Sequence, residues 1–181
     1  MEMDFCQRIL LEAETISARV AELGARISQD YEGRSPLAVG ILRGAIVFLA
    51  DLVREMSVPV ELDFMAVSSY GKDTKTSGVV RILKDLDQDI KGRDVLLVED
   101  ILDTGLTLDY LVGYLSAREP ASLEVCVLLN KQCEKKIETS VKYRGFDVPD
   151  EFVVGYGLDH GERYRNLPFV CTLKPEVYQG K

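Results

Sequence analysis

Apolar positions along the chain form one long helical pattern followed by several short runs. Over residues 4–27, apolar residues recur at helical spacing and predict an amphipathic helix that packs on a sheet. Apolar runs predict strands at residues 37–42, 79–83, 95–98, 123–129 and 169–173, and alternation predicts a half-buried strand at 58–68. Helical patterns follow two of these strands, at residues 43–53 and 106–118.

The order of these elements predicts the fold class. Strands that alternate with helices build a mostly parallel sheet with helices on both faces, so we expect an α/β fold. Residues 134–150 are polar and are predicted to be irregular, and residues 175–181 are predicted to be a tail.

Composition is that of an ordinary globular protein. The 181 residues are 46% hydrophobic and 29% charged, which suits a single domain with a full core. The chain begins with acidic residues rather than a basic and apolar leader, and its apolar runs are far shorter than the ~20 residues that span a bilayer. We therefore expect a cytoplasmic protein.

Charge and cysteine content weigh against two kinds of site. A net charge of −8 argues against a general nucleic-acid surface, which requires clustered lysine and arginine. The four cysteines show no C-x-x-C spacing, and the single histidine, His160, cannot complete a usual zinc set with them. Cys126 and Cys171 lie in apolar runs and are predicted core residues.

The strand predicted at residues 95–98 ends in a polar stretch with clear chemical character. Two acids, Glu99 and Asp100, come first, and a turn with Asp103, Thr104 and Gly105 opens the next helix. Ligands of open α/β sheets bind beyond the carboxyl ends of the strands, and a helix N-terminus binds anions. The acids suit a sugar diol or Mg²⁺. A capped helix start would explain a lone D-T-G but not the two acids, so we predict a site for phosphate and ribose.

The run from Asp94 to Leu108, D-V-L-L-V-E-D-I-L-D-T-G-L-T-L, resembles the 5-phosphoribosyl-1-pyrophosphate (PRPP) signature of the type I phosphoribosyltransferases. The resemblance implies the fold of that family, with a core at about residues 30–150 and a small hood built from the N-terminal residues and residues 151–181. It also implies a PRPP-binding segment formed by Glu99, Asp100, Ile101, Leu102, Asp103, Thr104, Gly105, Leu106 and Thr107.

The same resemblance implies a role for each part of this segment. Glu99 and Asp100 would hold the ribose hydroxyls and, with Asp159, Mg²⁺. Asp103 would lie beside purine N7 as the general base, and residues 104–107 would cradle the 5′-phosphate.

A second anion site is predicted where Arg43 and Gly44 follow the strand at residues 37–42. A turn before a buried helix would account for Gly44, but not for an arginine between two apolar elements. The segment Leu42-Arg43-Gly44 resembles the pyrophosphate-binding loop of purine phosphoribosyltransferases. Many relatives have lysine in place of Arg43 in this loop, and the peptide bond before that residue can be cis. Arg165 matches a further pyrophosphate contact of the family.

The polar stretch that follows residue 68 has two interpretations. From composition alone it is a solvated hairpin loop. The S-S-Y-G at its start, however, resembles the mobile loop that closes over the active site of hypoxanthine-guanine phosphoribosyltransferases. That resemblance implies a lid at Ser69, Tyr70 and Gly71, which would keep water from the ribosyl centre.

A purine site is implied by two further segments. Lys131, otherwise an ordinary solvated lysine at a strand end, matches the lysine that binds the 6-oxo group of the purine. Residues 152–160, F-V-V-G-Y-G-L-D-H, resemble a second family signature. In it Phe152, otherwise a core residue, stacks on the purine, the Val153 backbone reads the base edge, and Asp159 binds a metal or the exocyclic position of the base.

Together these motifs resemble bacterial hypoxanthine phosphoribosyltransferases. The implied reaction joins PRPP to hypoxanthine or guanine, giving IMP or GMP and pyrophosphate, with Mg²⁺ as cofactor. It implies 6-oxopurine substrates, no nucleic-acid or membrane partner, and a homodimer or homotetramer. Two alternatives stay open: a PRPP-sensing or RNA-binding regulator on the same fold, and an enzyme for xanthine or adenine. The acidic charge argues against the regulator, and Lys131 argues against adenine.

Overall fold

A computed structural model describes residues 4–69, 80–137 and 139–178. Within these ranges lie a six-stranded sheet and a three-stranded sheet. No helix in these ranges combines the length and the apolar character that a bilayer crossing requires. In chain order the elements are β1 (Cys6–Leu11), α1 (Ala13–Asp30), β2 (Leu37–Leu42), α2 (Ile46–Arg54), β3 (Glu61–Ser69), β4 (Val80–Lys84), β5 (Asp94–Leu102), α3 (Leu106–Ser116), β6 (Ser122–Gln132), β7 (Tyr143–Pro149), β8 (Val153–Val154), β9 (Val170–Leu173) and α4 (Pro175–Tyr178).

The six-stranded sheet has the order β4-β3-β2-β5-β6-β7. Every neighbouring pair is parallel except β3 and β4, which are antiparallel. β5 lies in the interior of the sheet between β2 and β6, and its residues from Val95 to Val98 are fully buried. The predicted α/β fold class, with a mostly parallel sheet, is therefore confirmed.

Helices cover both faces of this sheet, which explains the continuous apolar run in β5. Leu96 and Val98 pack in the cluster that contains the buried residues of α1 and α2. Val95 and Leu97 pack in the cluster that contains those of α3. The buried apolar positions of α1 follow the predicted helical spacing and are Ile16, Val20, Leu23 and Ile27.

β3 is confirmed as a strand, but its alternating pattern does not identify the buried side. Leu62 is 44% exposed, whereas Asp63 is only 3% exposed. The Asp63 carboxylate accepts a hydrogen bond from the Asp87 backbone N–H at 2.9 Å, and Lys84 lies 3.5 Å away as an ion pair. A buried acid is tolerated where such partners are present, so hydrophobicity alone misjudges this strand.

The helix predicted over residues 4–27 is wrong at its start. Residues Cys6–Leu11 form β1, and α1 begins only at Ala13. β1 pairs antiparallel with β9 from the other end of the chain, with Ile9 opposite Cys171. Ile9 and Leu10 happen to fit the helical spacing, but pairing with a distant strand outweighs the weak local preference.

The prediction that residues 134–150 are irregular is also wrong in part. Tyr143–Pro149 form β7, which pairs in parallel with β6 at one edge of the sheet. Tyr143 and Val148 are buried, but Arg144, Gly145 and Asp147 interrupt the apolar alternation between them. An edge strand needs to bury fewer side chains than a central one, so its sequence carries a weaker signal.

The three-stranded sheet joins the two ends of the chain in the order β1-β9-β8. Val154, Cys171 and Leu173 form its buried centre. The Tyr156 hydroxyl donates a hydrogen bond to Asp51 of α2 at 2.7 Å. This contact fixes the segment after β8 against the larger sheet and its helices.

Gly24 and Gly113 provide a matched test of helix packing. A Cβ on Gly24 of α1 would lie 2.6 Å from the Glu55 Cβ and 2.8 Å from the Glu55 backbone, whereas a Cβ on Gly113 of α3 would meet nothing within 4 Å. We expect Gly24→Ala to lower the free energy of unfolding by about 1–3 kcal/mol, because α1 must move away from α2. We expect Gly113→Ala to raise it by about 0.5–1 kcal/mol. Urea denaturation checks both values, and equal effects would contradict the packing difference.

Candidate active site

The candidate site lies where the chain changes direction across the large sheet. The connection from β2 through α2 leads to β3 on one side, and the connection from β5 through α3 leads to β6 on the other side. A crevice forms beyond the carboxyl ends of β2 and β5 at such a point. Arg43 and Gly44 follow β2 there, and the acids and turn that end at Thr107 lie at the end of β5.

Three segments approach one another closely at this crevice. A Cβ on Gly44 would lie 1.7 Å from an Asp100 carboxylate oxygen, and a Cβ on Gly157 would lie 2.2 Å from the Gly44 carbonyl oxygen. Gly157 has a φ of 101°, which also favours glycine. The peptide bond between Leu42 and Arg43 is cis. The loop after β2 is therefore enclosed between the end of β5 and the segment after β8.

The turn after β5 is shaped as an anion site. Gly105 is the N-cap of α3 with a φ of 90° and no side-chain capping hydrogen bond. A Cβ there would lie 2.4 Å from the Ile137 carbonyl oxygen. Because no side chain caps this end, the first N–H groups of α3 are available to a phosphate. A cavity of about 190 Å³ opens beside them and is lined by Glu99, Ile101, Leu102, Asp103, Thr104, Gly105, Thr107 and Leu108.

The two acids at the end of β5 lie in an environment that disfavours their charge. Burial, and then the neighbouring Asp100, raises the pKa of Glu99 well above its usual value. Burial also raises the pKa of Asp100 to about 6. One oxygen of Glu99, Oε2, is buried without a hydrogen-bond partner in the described part of the chain. A cation or a hydroxyl donor would satisfy these groups, and carboxylate oxygens are the ligands that Mg²⁺ prefers.

The predicted metal ligands do not form a closed cage. The one group of three ligand atoms that converges within 4.8 Å among the described residues is Asp103, Cys133 and Asp150, rather than Glu99, Asp100 and Asp159. Two members of the first group, Asp103 and Asp150, already pair with the Lys131 ammonium, which supplies positive charge. The open second group suits Mg²⁺, which usually keeps waters and substrate phosphates among its ligands.

The arginines predicted to bind pyrophosphate lie at a second cavity of the crevice. Arg165 forms an ion pair with Asp159 at 2.8 Å and donates a hydrogen bond to the Gly157 carbonyl at 2.8 Å. Its Nε is buried and has no partner among the described residues. The cavity measures about 350 Å³ and is lined by Ile41, Leu42, Arg43, Gly44, Val67, Glu99, Asp100, Thr107, Asp159 and Arg165.

The residues predicted to bind a purine are only partly brought together. The Lys131 ammonium lies 3.8 Å from the Asp103 carboxylate and 2.9 Å from that of Asp150. Phe152 is 39% exposed and stacks on Tyr178, with ring centroids 5.2 Å apart. Val153 is buried in β8. Phe152 and Val153 line neither of the two cavities that contain Glu99.

The predicted lid lies mostly outside the described residues. Ser69 is the last residue of β3, and Tyr70 and Gly71 are not among the residues that the structure describes. The role of this segment therefore stays a prediction from the sequence.

Known proteins resemble this chain over nearly its whole length. The phosphoribosyl transferase domain family matches residues 7–160. The hypoxanthine-guanine phosphoribosyltransferase of Mycobacterium avium is 53% identical over 177 residues, which cover 94% of this chain and 87% of that protein. This chain belongs to the phosphoribosyl transferase family.

Two further relatives agree in sequence and in structure. The hypoxanthine-guanine phosphoribosyltransferase of Bacillus subtilis is 49% identical over 173 residues, which cover 96% of each chain. A crystal structure of a hypoxanthine phosphoribosyltransferase from Staphylococcus aureus has a TM-score of 0.93 at 46% identity, and the match covers 97% of this chain and 96% of that one. The phosphoribosyl transferase fold predicted from the motifs is confirmed.

Sequence reasoning missed a lysine that connects the parts of this phosphoribosyl transferase site. The Lys135 ammonium donates hydrogen bonds to the carbonyl oxygens of Leu102 at 3.0 Å, Asp103 at 2.6 Å and Lys131 at 2.7 Å. These bonds join the end of β5 to the end of β6 and use all three donors of an ammonium group. Nothing in the polar segment around Lys135 distinguishes it from a solvated lysine.

Cys133 is a second residue that the sequence did not indicate. Its thiol lies 3.2 Å from the Asp103 carboxylate, within hydrogen-bonding distance for sulfur. Burial and the Asp103 carboxylate raise the pKa of this thiol, so it remains a neutral donor near neutral pH. Asp103 is thus contacted by both Lys131 and Cys133.

Removal of the Lys135 ammonium tests its positioning role. We expect Lys135→Met to weaken PRPP binding about tenfold or more, because three carbonyl groups lose a charged donor and the turn at Asp103 loosens. Isothermal titration calorimetry with PRPP measures the change. Lys91→Met is the matched control, since Lys91 pairs with Glu119 in an exposed turn before β5. Equal affinities in both variants would contradict the role.

Proposed function

We propose that this protein is a purine-salvage enzyme, a hypoxanthine phosphoribosyltransferase. It transfers the 5-phosphoribosyl group from PRPP to hypoxanthine, and also to guanine, releasing pyrophosphate and forming IMP or GMP. The observation that carries the proposal is the position of Asp103, which lines the cavity at the N-terminus of α3 and also lies 3.8 Å from Lys131. A ribose phosphate and a 6-oxopurine could therefore meet at one carboxylate. The names and the similarity of the relatives support the same activity.

The phosphoribosyl part of the substrate would be held by groups at the end of β5. The amides of residues 104–107 and the Thr104 and Thr107 hydroxyls would donate to the 5′-phosphate. Glu99 and Asp100 would accept hydrogen bonds from the ribose hydroxyls, which would satisfy the unpartnered Glu99 oxygen. Mg²⁺, held through Glu99, Asp100 and Asp159, would supply positive charge to the pyrophosphate.

The remaining roles follow from the charges that develop on the substrates during transfer. The bond between ribose C1 and the pyrophosphate oxygen breaks with its electron pair on oxygen, and Arg43 and Arg165 would stabilise that charge. Purine N9 forms the new bond to C1, and the proton on N7 would pass to the Asp103 carboxylate. A lid at Ser69, Tyr70 and Gly71 would exclude water while C1 carries positive character.

The purine would be selected by its 6-oxo group. Lys131 would donate to that oxygen, Phe152 would stack on the ring, and the Val153 backbone would bind the base edge. Adenine carries an amino group at this position and would leave the Lys131 ammonium without an acceptor. This difference supports hypoxanthine and guanine as substrates.

We also propose how the protein is organised in the cell. The 181 residues form a single domain with a core at about residues 30–150 and a hood built from the N-terminal residues and residues 151–181, and copies of the chain assemble into a homodimer or homotetramer. The enzyme works in the cytoplasm, where its multiply charged substrate PRPP is retained.

Asp103→Asn tests the reaction and the base together. We expect wild-type protein with PRPP and Mg²⁺ to convert hypoxanthine and guanine, and the variant to lose about a hundredfold or more in kcat, because an amide cannot accept the N7 proton. A spectrophotometric assay with hypoxanthine, guanine, xanthine and adenine in parallel measures both. Full turnover by the variant would contradict the base role. Tight PRPP binding without turnover on any base would indicate a PRPP sensor instead.

Lys131→Gln tests base selection. We expect kcat/KM for hypoxanthine to fall about tenfold or more, because the charged hydrogen bond to the 6-oxo group is lost, while the affinity for PRPP changes less. The ratio of kcat/KM for hypoxanthine to that for adenine should fall with it. An unchanged ratio would remove Lys131 from base selection.

A further inference from the structure

One side chain in the crevice occupies the position of an anion. The Glu162 oxygen Oε2 accepts a hydrogen bond from Arg43 at 2.8 Å and from Arg165 at 3.2 Å. These are the two arginines assigned to pyrophosphate above. A carboxylate and a phosphate present similar oxygen acceptors to a guanidinium group, so Glu162 makes the contacts that the ligand would need.

The backbone holds Glu162 in this position. Residues His160 and Arg163 form an antiparallel bridge, and the two residues between them, Gly161 and Glu162, have φ values of 59° and 64°. Positive φ at both central positions is the geometry of a type I′ turn, for which glycine is usual at the second position. The Glu162 backbone N–H donates to Asp159 at 2.9 Å. The turn therefore fixes the backbone of Glu162, and its carboxylate reaches both arginines.

While Glu162 is paired with Arg43 and Arg165, the charges around these arginines leave no positive excess. Arg43 and Arg165 carry two positive charges, and their partners Asp159 and Glu162 carry two negative charges. Glu99 and Asp100 line the same cavity as both arginines and add acidic groups. Pyrophosphate is highly negative, so it gains a favourable contact with both arginines only if Glu162 moves away.

The contact is suited to exchange. The side chains of Arg43 and Glu162 are 71% and 63% exposed. Exposed ion pairs of this kind are weak and are lost easily to a stronger partner. A ligand with several charged oxygens, assisted by Mg²⁺, would be such a partner.

We propose that Glu162 is an internal competitor of pyrophosphate: it occupies Arg43 and Arg165 when the site is free and returns to them when the product leaves. This inference rests on the proposed function of the two arginines. Glu162 is a positioning residue, because it acts on the substrate only through the arginines. It lowers the affinity for the pyrophosphate group and favours release of the product.

Glu162→Gln tests the competition. The variant keeps the size of the side chain and removes its charge, so we expect the dissociation constant of magnesium pyrophosphate to fall about fivefold, as the loss of an opposing ion pair predicts. Isothermal titration calorimetry with magnesium pyrophosphate gives the constant directly. In steady-state assays, the inhibition constant of pyrophosphate and the KM for PRPP should fall in the same proportion.

Two controls separate this effect from net charge and from folding. Glu32→Gln makes the same charge change in an exposed turn after α1, away from the crevice, and should leave the dissociation constant unchanged. Glu162→Asn is also neutral, and asparagine tolerates positive φ, so it should bind pyrophosphate as tightly as Glu162→Gln. In an Arg43→Gln background, the gain from Glu162→Gln should shrink, because one of the two arginine contacts is already absent.

The possible outcomes distinguish the inference from the function beneath it. Unchanged or weaker pyrophosphate binding in both Glu162 variants would overturn the competition, even if the protein converts hypoxanthine normally. Tighter binding without turnover on any base would support the competition and overturn the transferase. No binding of pyrophosphate to wild-type protein would overturn the assignment of the arginines and the inference with it.

Discussion

Two carboxylates at the end of a buried strand are the constraint on which the site depends. β5 must be apolar because it lies in the interior of a sheet covered on both faces, and Glu99 and Asp100, which follow its buried residues, are themselves partly buried. Burial penalises their charge, and one Glu99 oxygen has no partner in the described ranges. The fold thus creates two acidic groups that are best satisfied by a ligand, which explains how a stable core and a binding site share one strand.

Close backbone contacts then bring the other groups to these acids. Gly44 lies against Asp100, and Gly157 lies against the Gly44 carbonyl, so the loops after β2 and β8 meet at the end of β5. A side chain at either glycine would separate them. This packing explains why Arg165, which is far along the chain from β2 and β5, lines the same cavity as Arg43 and the acids.

Electrostatic balance is a second property of the crevice. Its arginines are paired with Asp159 and Glu162, and Lys131 is paired with Asp103 and Asp150. Such pairing lets an acidic protein hold cationic groups in place for anionic substrates. An anionic ligand would then exchange partners with these side chains instead of meeting unpaired charges.

The sequence by itself determined the elements whose signals are local. The apolar run of β5, the acids after it and Gly105 before α3 are contiguous, so strand, turn and anion site were predicted together. The tertiary structure decided what depends on distant partners. β1 is a strand because β9 lies beside it, and Lys135 acts through carbonyl groups near Asp103, 32 residues away. Glu162 meets Arg43 across 119 residues. Hydrogen bonds and ion pairs of this kind depend on distances in space, which a linear pattern of residue types does not contain.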